Sequence, residues 1–516
     1  MRAYRVWWVV ALGLLGQAAA AVPDGRALYL EHCATCHGAD RFGAMGPALL
    51  AENLTRLRKT EALKVIAHGR VATQMPGFGT TLSAAEIEAV RDYIYSEIVP
   101  RPDWTEAQIR ASKITYGPPN TLPAKPSFRA DPLNLFVVVE SGDHHVTILD
   151  GDRFEPLARF PSRYALHGGP KFSPDGRFVY FASRDGWISK YDLWNLRMVA
   201  EIRAGLNTRN AAVSSDGRYI AVANYLPHTL VLLTANLELV KIIRVTDSAG
   251  KVSSRVSAVY DAYPRKSFVA ALKDVKELWE ISYDPKAAAI PQGLIHDFRY
   301  REGSFVSGFL NPRRTQLDDY LDDFFFTASY SEVIGASRDA GSGQVIQLDV
   351  RRKIAALELS GMPHLGSGIT WNQDGRTLLA TPNLKEAVVT VVDTANWQII
   401  KKIATFGPGF FLRSHENSPY AWVDGMMGPR RDTLQVIDKR SLEIVGSVTP
   451  APGKTAAHVE FTRDGRYALV SVWARDGALV IYDARTLAEV KRLPMNKPVG
   501  KYNVYNKIMH AEGTSH

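Results

Sequence analysis

The chain places its two cysteines and a histidine in one short run, "EHCATCHGAD", with His37 directly behind the second of the thiols Cys33 and Cys36. Within about one turn of helix that spacing presents two thiols and an imidazole together. The matching chemistry is covalent capture of one haem c, by thioether bonds to its vinyl groups with the imidazole on its iron. A thioredoxin-type dithiol would need a βαβ pattern around it, and none is present. A second set of residues recurs further along. His167 in "RYALHGGPKF", Arg209 in "NTRNAAVSS", Arg255 in "SSRVSAV", His364 in "GMPHLGSGITW", and Arg413 with His415 in "FLRSHENSPYAW" all stand at turns beside apolar strands. Burying several cations without a ligand is costly. Such a set suits a carboxylate-bearing ligand gripped by guanidinium forks, with an imidazole offered to a metal.

The elements that must carry the first set are short helices. Residues 1–21 pair Arg2 and Arg5 with an apolar run over 6–15 and small residues over 18–21, a secretory leader that sends the mature chain to the periplasm. No later stretch approaches the ~18 uninterrupted apolar residues of a membrane span. Two cysteines cannot supply a disulfide framework, and a net charge of +9 spread along 516 residues is no nucleic-acid footprint. Residues 22–99 resemble a small all-α class I cytochrome c domain. In that pattern a Met-Pro lies downstream of the haem motif, and "VATQMPGFGTTLS" makes Met75 the expected second iron ligand beside His37, with Met45 and His68 as competitors. The stretch 100–129 holds six prolines and no periodic apolar pattern, and is expected to be a linker.

Beyond residue 130 one unit repeats. "FSPDGRFVYFASRDGWISKYDLW", "VSSDGRYIAVANYLPHTLVLLT", "WNQDGRTLLATPNLKEAVVTVVD" and "FTRDGRYALVSVWARDGALVIYD" each give an Asp-Gly turn, an alternating strand, a polar turn and another strand. Their Asp-Gly-Arg triplets start at Asp175, Asp216, Asp374 and Asp464, at gaps of 41, 158 and 90 residues. At a blade period of roughly 40–45 residues these gaps hold one, four and two blades, so 130–516 reads as an all-β propeller of eight blades, with seven as the competing count. Residues that act must point into its hub, from the turns leading into each innermost strand.

With these segments in place the chain resembles the cytochrome cd1 nitrite reductase family, in which a haem c domain precedes an eight-bladed, haem d1-binding propeller. "YALHGGPKFSPDGRFVYFASRDGWISKYDLW", "GMPHLGSGITW", "RSHENSPYAWVD" and "VGKYNVYN" follow that family's order. The resemblance implies that His167 is the proximal haem d1 ligand and that Arg184 and Arg209 hold macrocycle carboxylates. Arg255 and Lys273 lie in a segment that matches less tightly. Of the reductases' two distal histidines, one survives as His364. The region of the other, "REGSFVSGFLNPRRTQLDDY", has none.

That departure is similar to the paralogous branch working in haem d1 assembly, the dihydro-haem d1 dehydrogenases. The implied activity is oxidation of a propionate side chain of dihydro-haem d1 to the acrylate of haem d1, with His415 or His364 as base and electrons passing to haem c and then to an external acceptor. The implied partners are dihydro-haem d1, the nitrite reductase and other assembly proteins. Nitrite reduction, or non-catalytic carriage of haem d1, are the alternatives.

Overall fold

A computed structural model describes residues 22–44, 46–54, 57–69, 75–100, 102–118, 121–292, 304–336 and 342–509. The leader over 1–21 and Met45 lie outside the described residues. The first domain is built on four helices, α1 Gly25–His32, α2 Ala34–His37, α3 Lys59–His68 and α4 Ala84–Ile94. Asp24 caps α1 by accepting from the Arg26 and Ala27 amides, and Ser83 with Glu86 forms a capping box on α4. Helix α1 crosses α4 closely. A Cβ at Gly25 would come within 2.1 Å of the Ala89 carbonyl oxygen, so only glycine fits there. Tyr29, Ile66, Ile87, Val90 and Ile94 close the small core.

The linker is more ordered than its prolines suggest. Thr105 and Gln108 form a capping box for α5 Glu106–Ala111, and Ile114–Thr115 then pairs with Ala200 and Glu201 on the outer edge of a blade. That order has a local cause, because the cap satisfies amide donors that so short a helix otherwise leaves to water.

Eight four-stranded antiparallel blades follow. Blade 1 comprises Leu135–Glu140, His145–Asp150 and Glu155–Pro161, and its innermost strand, Pro498–Asn503, comes from the far end of the chain. The innermost strands of blades 2 to 8 are Lys171–Phe172, Asn207–Val213, Val256–Ala262, Asp323–Phe326, Ile369–Gln373, Leu412–Arg413 and Ala456–Phe461. Joining both termini in one blade closes the ring and removes the open sheet edges. The Asp-Gly turns behave as their sequence implies: Asp175 accepts from the Arg177 amide at 3.1 Å, while Gly176 takes φ +69°, which favours glycine. Blade 4 reaches its outer strand, Pro312–Gln316, only after an inserted hairpin, Ile290–Gln292 with Ser304–Val306. Apolar seams between neighbouring blades, such as Leu135, Val137, Phe172, Val179 and Phe181, form the core.

Candidate functional site

An antiparallel blade has two ends. The loops entering each innermost strand, and the turns between the second and third strands, meet at one end of the hub. His167 enters blade 2, where its amide donates to the Ala182 carbonyl oxygen at 2.9 Å. Gly168 and Gly169 have φ of +80° and +69°. A Cβ on Gly168 would lie 2.5 Å from the Asn210 Cβ, and one on Gly169 3.1 Å from the Tyr502 ring. The two glycines therefore bring the imidazole against the hub where a larger residue would collide. His167 Nδ1 donates to the Arg209 carbonyl oxygen at 2.7 Å, which leaves Nε2 as the lone-pair nitrogen. Arg184 Nη2 and Arg209 Nη1 each stand 3.0 Å from that Nε2.

His364 repeats this arrangement in blade 6, four blades of the eight away and so across the hub. Its Nδ1 donates to the Phe410 carbonyl oxygen at 2.8 Å and its ring lies 4.0 Å from the Phe410 ring. Burial lowers its pKa, with Asp323 acting in the opposite direction. Within the hub, Asp323 of blade 5 accepts from the Tyr260 hydroxyl of blade 4 at 2.8 Å. Arg255 and Lys273 belong to the same end of the hub, but both are matched by carboxylates. Arg255 pairs with Asp274 at 2.5 Å and Lys273 with Asp322.

His415 falls outside this cluster. It follows the innermost strand Leu412–Arg413 instead of preceding it, so the meander carries it to the opposite end of the blades. There its Nδ1 accepts from the Asn417 amide at 3.1 Å, and it lies so close to Gly465 that a Cβ on that glycine would sit 2.4 Å from Nδ1. The sequence spacing misleads by one strand length, and the residues that face the site from blade 7 are Phe410 and Phe411.

One histidine emerges that the sequence reading missed. His458 lies within the innermost strand of blade 8 with φ +56°, fully buried. Its ring meets Tyr502 edge-on at 5.0 Å and Phe411 at 4.7 Å. Neither of its ring nitrogens has a hydrogen-bond partner among the described residues. Burial first, then the nearby cations Lys501, Arg413 and Lys507, push its pKa well below the ordinary value, so the ring is neutral at neutral pH. The available signal was a histidine in a mostly apolar strand, "AAHVEF".

In the first domain, buried His37 donates through Nδ1 to the Pro47 carbonyl oxygen at 2.8 Å, leaving Nε2 for a metal. Gly46 must be glycine, since a Cβ there would lie 2.8 Å from His37 Cε1. Cys33 and Cys36 are free, half-buried thiols at the α1–α2 junction, the first with a pKa raised to about 11 by burial. This donor set fits a covalently held haem. Met75 sits half-buried in the loop before α4, while His68 is exposed at the end of α3. The loop carrying Pro47 docks on the propeller: Ala48 and Leu50 pack on Leu206 and Leu226, Asn207 donates to Asn53 at 2.8 Å, and Arg203 to the Phe42 carbonyl oxygen at 2.6 Å.

Comparison with known proteins accords with both halves. Residues 130–507 match the family model of the cytochrome D1 heme domain, and residues 20–94 match that of the cytochrome C oxidase, cbb3-type, subunit III. A dihydro-heme d1 dehydrogenase from Pseudomonas aeruginosa is 59% identical over 506 residues, 98% of each chain. The chain belongs to the dihydro-heme d1 dehydrogenase family. A solved structure described as dihydro-heme d1 dehydrogenase NirN in complex with DHE superposes with a TM-score of 0.86 at 58% identity, covering 94% of this chain and 100% of that one. A nitrite reductase from Stutzerimonas stutzeri is 24% identical over 97% of both chains. Membership of this family fixes the architecture as a cytochrome c domain ahead of an eight-bladed, haem d1-type propeller. Among the described residues no helix is long and apolar enough to cross a membrane.

Proposed function

We propose that this chain is a periplasmic dihydro-haem d1 dehydrogenase that oxidises one propionate side chain of its macrocyclic substrate to acrylate. The observation that carries the reading is His458, a neutral imidazole with no hydrogen-bond partner among the described residues, set in a hub that two other imidazoles enter from blades 2 and 6. His167 and His364, each with Nδ1 committed to a backbone carbonyl, offer Nε2 to the iron of the substrate. The guanidinium groups of Arg184 and Arg209, 3.0 Å from His167, supply forks for its carboxylates. His458 is then the base, and Tyr502 and Phe411 confine the side chain against it.

Converting CH2–CH2 to CH=CH releases two protons and two electrons. Cys33, Cys36, His37 and Met75 would hold a haem c, which would supply one-electron transfer when bound. Its loop meets the propeller at Leu206 and Asn207, within a few residues of Arg209, whose carbonyl orients His167. An external one-electron acceptor completes the turnover, and transient contact with the nitrite reductase and other haem d1 assembly proteins would pass the product on.

The test is anaerobic mixing of the purified holoprotein with dihydro-haem d1 and a one-electron acceptor. The expected outcome is a shift of the absorption spectrum to that of the acrylate macrocycle with parallel reduction of haem c. No shift together with rapid nitrite consumption overturns the reading in favour of a reductase. Tight binding with neither activity overturns it in favour of a carrier.

A further inference from the structure

The hub has a second mouth. At the end opposite His167, a cavity of about 460 Å³ is lined by Lys171, Tyr260, Asp261, Trp371, Asn506 and Lys507, among others. None of these residues has a part in holding the haem c. The cavity connects inward to the proposed base by a short series of contacts. Lys507, on α6 Val504–Ile508, places its ammonium 5.8 Å from the centre of the Tyr502 ring, and that ring stands 5.0 Å from His458. Lys507 Nζ also lies 3.8 Å from Glu460 Oε2, a buried carboxylate two residues beyond His458 on the same strand.

The dehydrogenation poses a problem that this mouth solves. On the dehydrogenase reading both C–H bonds would break in the hub beside His458, and the macrocycle would enter by the other mouth, which the cytochrome loop flanks. We propose that the far mouth is the proton exit of the enzyme, with Lys507 as the relay between His458 and solvent. This inference rests on the dehydrogenase reading. In each cycle a methylene C–H bond breaks as an N–H bond forms on His458. The imidazolium gives that proton up past the Tyr502 ring to the Lys507 amine, which becomes an ammonium and releases it to water in the cavity. The second proton follows the same route. The two electrons left behind go singly to a one-electron acceptor of metalloprotein type.

Lys507 has the acidity such a relay needs. Removal from bulk water, then Arg413 and Lys171, bring its pKa down to about 7, against the opposing pull of Glu460. Among the described residues the groups that face it are Glu460 and His458 from blade 8, Arg413 from blade 7, Lys171 from blade 2 and Tyr502 from blade 1. An amine near neutrality both accepts and releases a proton readily. An ordinary lysine would remain an ammonium.

The experiment uses the holoenzyme and its Lys507→Met and Lys507→Arg variants, assayed for dihydro-haem d1 turnover in H2O and D2O, with substrate affinity from absorption titration. Both variants are expected to lose at least about tenfold in kcat with unchanged affinity and a larger solvent isotope effect. Added methylammonium, small enough for the cavity, should restore Lys507→Met in proportion to its concentration. Parental kcat in Lys507→Met overturns the relay. So does full activity in Lys507→Arg, since arginine keeps the charge but does not titrate near neutrality. A slow Lys507→Met with weakened substrate binding and no amine rescue overturns it too, because the role is then structural. Failure of the parental enzyme to convert dihydro-haem d1 sinks the dehydrogenase reading itself, an outcome separable from all of these.

Discussion

At the scale of residues, three imidazoles divide the work by what each nitrogen touches. His167 and His364 have one nitrogen fixed on a carbonyl and one presented to the hub, which is the pattern of a metal ligand with a set tautomer. His458 has neither nitrogen engaged among the described residues and is kept neutral by its surroundings, which suits the base of the proposed reaction. His458→Gln should therefore lower kcat by about 10²-fold or more while leaving the substrate spectrum in place. Because the His458 pKa is depressed, the acid limb of kcat/KM should lie below pH 6.5, and a limb at or above 6.5 in the pH profile would contradict the assignment. His167→Ala should weaken macrocycle binding in an absorption titration yet leave the haem c bands unchanged, since its hydrogen-bond partners among the described residues lie in the propeller.

At the scale of elements, the seam between the cytochrome loop and the propeller turns is small but well placed. Leu206 is fully buried between Ala48, Leu50 and Leu226, and the next residue, Asn207, bonds to Asn53. Leu206→Ala removes the apolar contact at an expected cost of about 2–5 kcal/mol, part of it felt as weaker docking. Stopped-flow mixing with substrate should show slower haem c reduction at unchanged substrate affinity. The blades show what a repeat conveys and what it hides. Asp175, Asp216, Asp374 and Asp464 announce their turns because an Asp-Gly pair has a local reason to bend. The phase of His415 was not legible in the same way. Which end of a strand a residue occupies depends on where the strand begins, and the innermost strand of blade 7 is only the two residues Leu412–Arg413.

At the scale of the whole molecule, the propeller buries cations whose acidity sets a pH signature. Lys171 and Lys190 are brought down to about 8 and Lys507 to about 7, in each case chiefly by burial, against an unfolded value near 10.5. Between pH 8 and 10 the unfolded chain then binds more protons than the folded one, so stability rises with pH across that window. Calorimetry should give a higher Tm at pH 9 than at pH 7, and replacing Lys171 and Lys507 by Met should flatten the difference. The sequence alone determined the covalent haem motif at Cys33, Cys36 and His37, the eightfold blade count, and the histidine flanked by glycines at 167, because each rests on spacing within a few residues or on a repeat. Closure by Pro498–Asn503, the approach of the Phe410 ring to His364, and the approach of Tyr502 to His458 were decided only by the tertiary structure. Contacts across a hub join residues from different blades, and no local pattern encodes which side chains eight converging strands bring face to face.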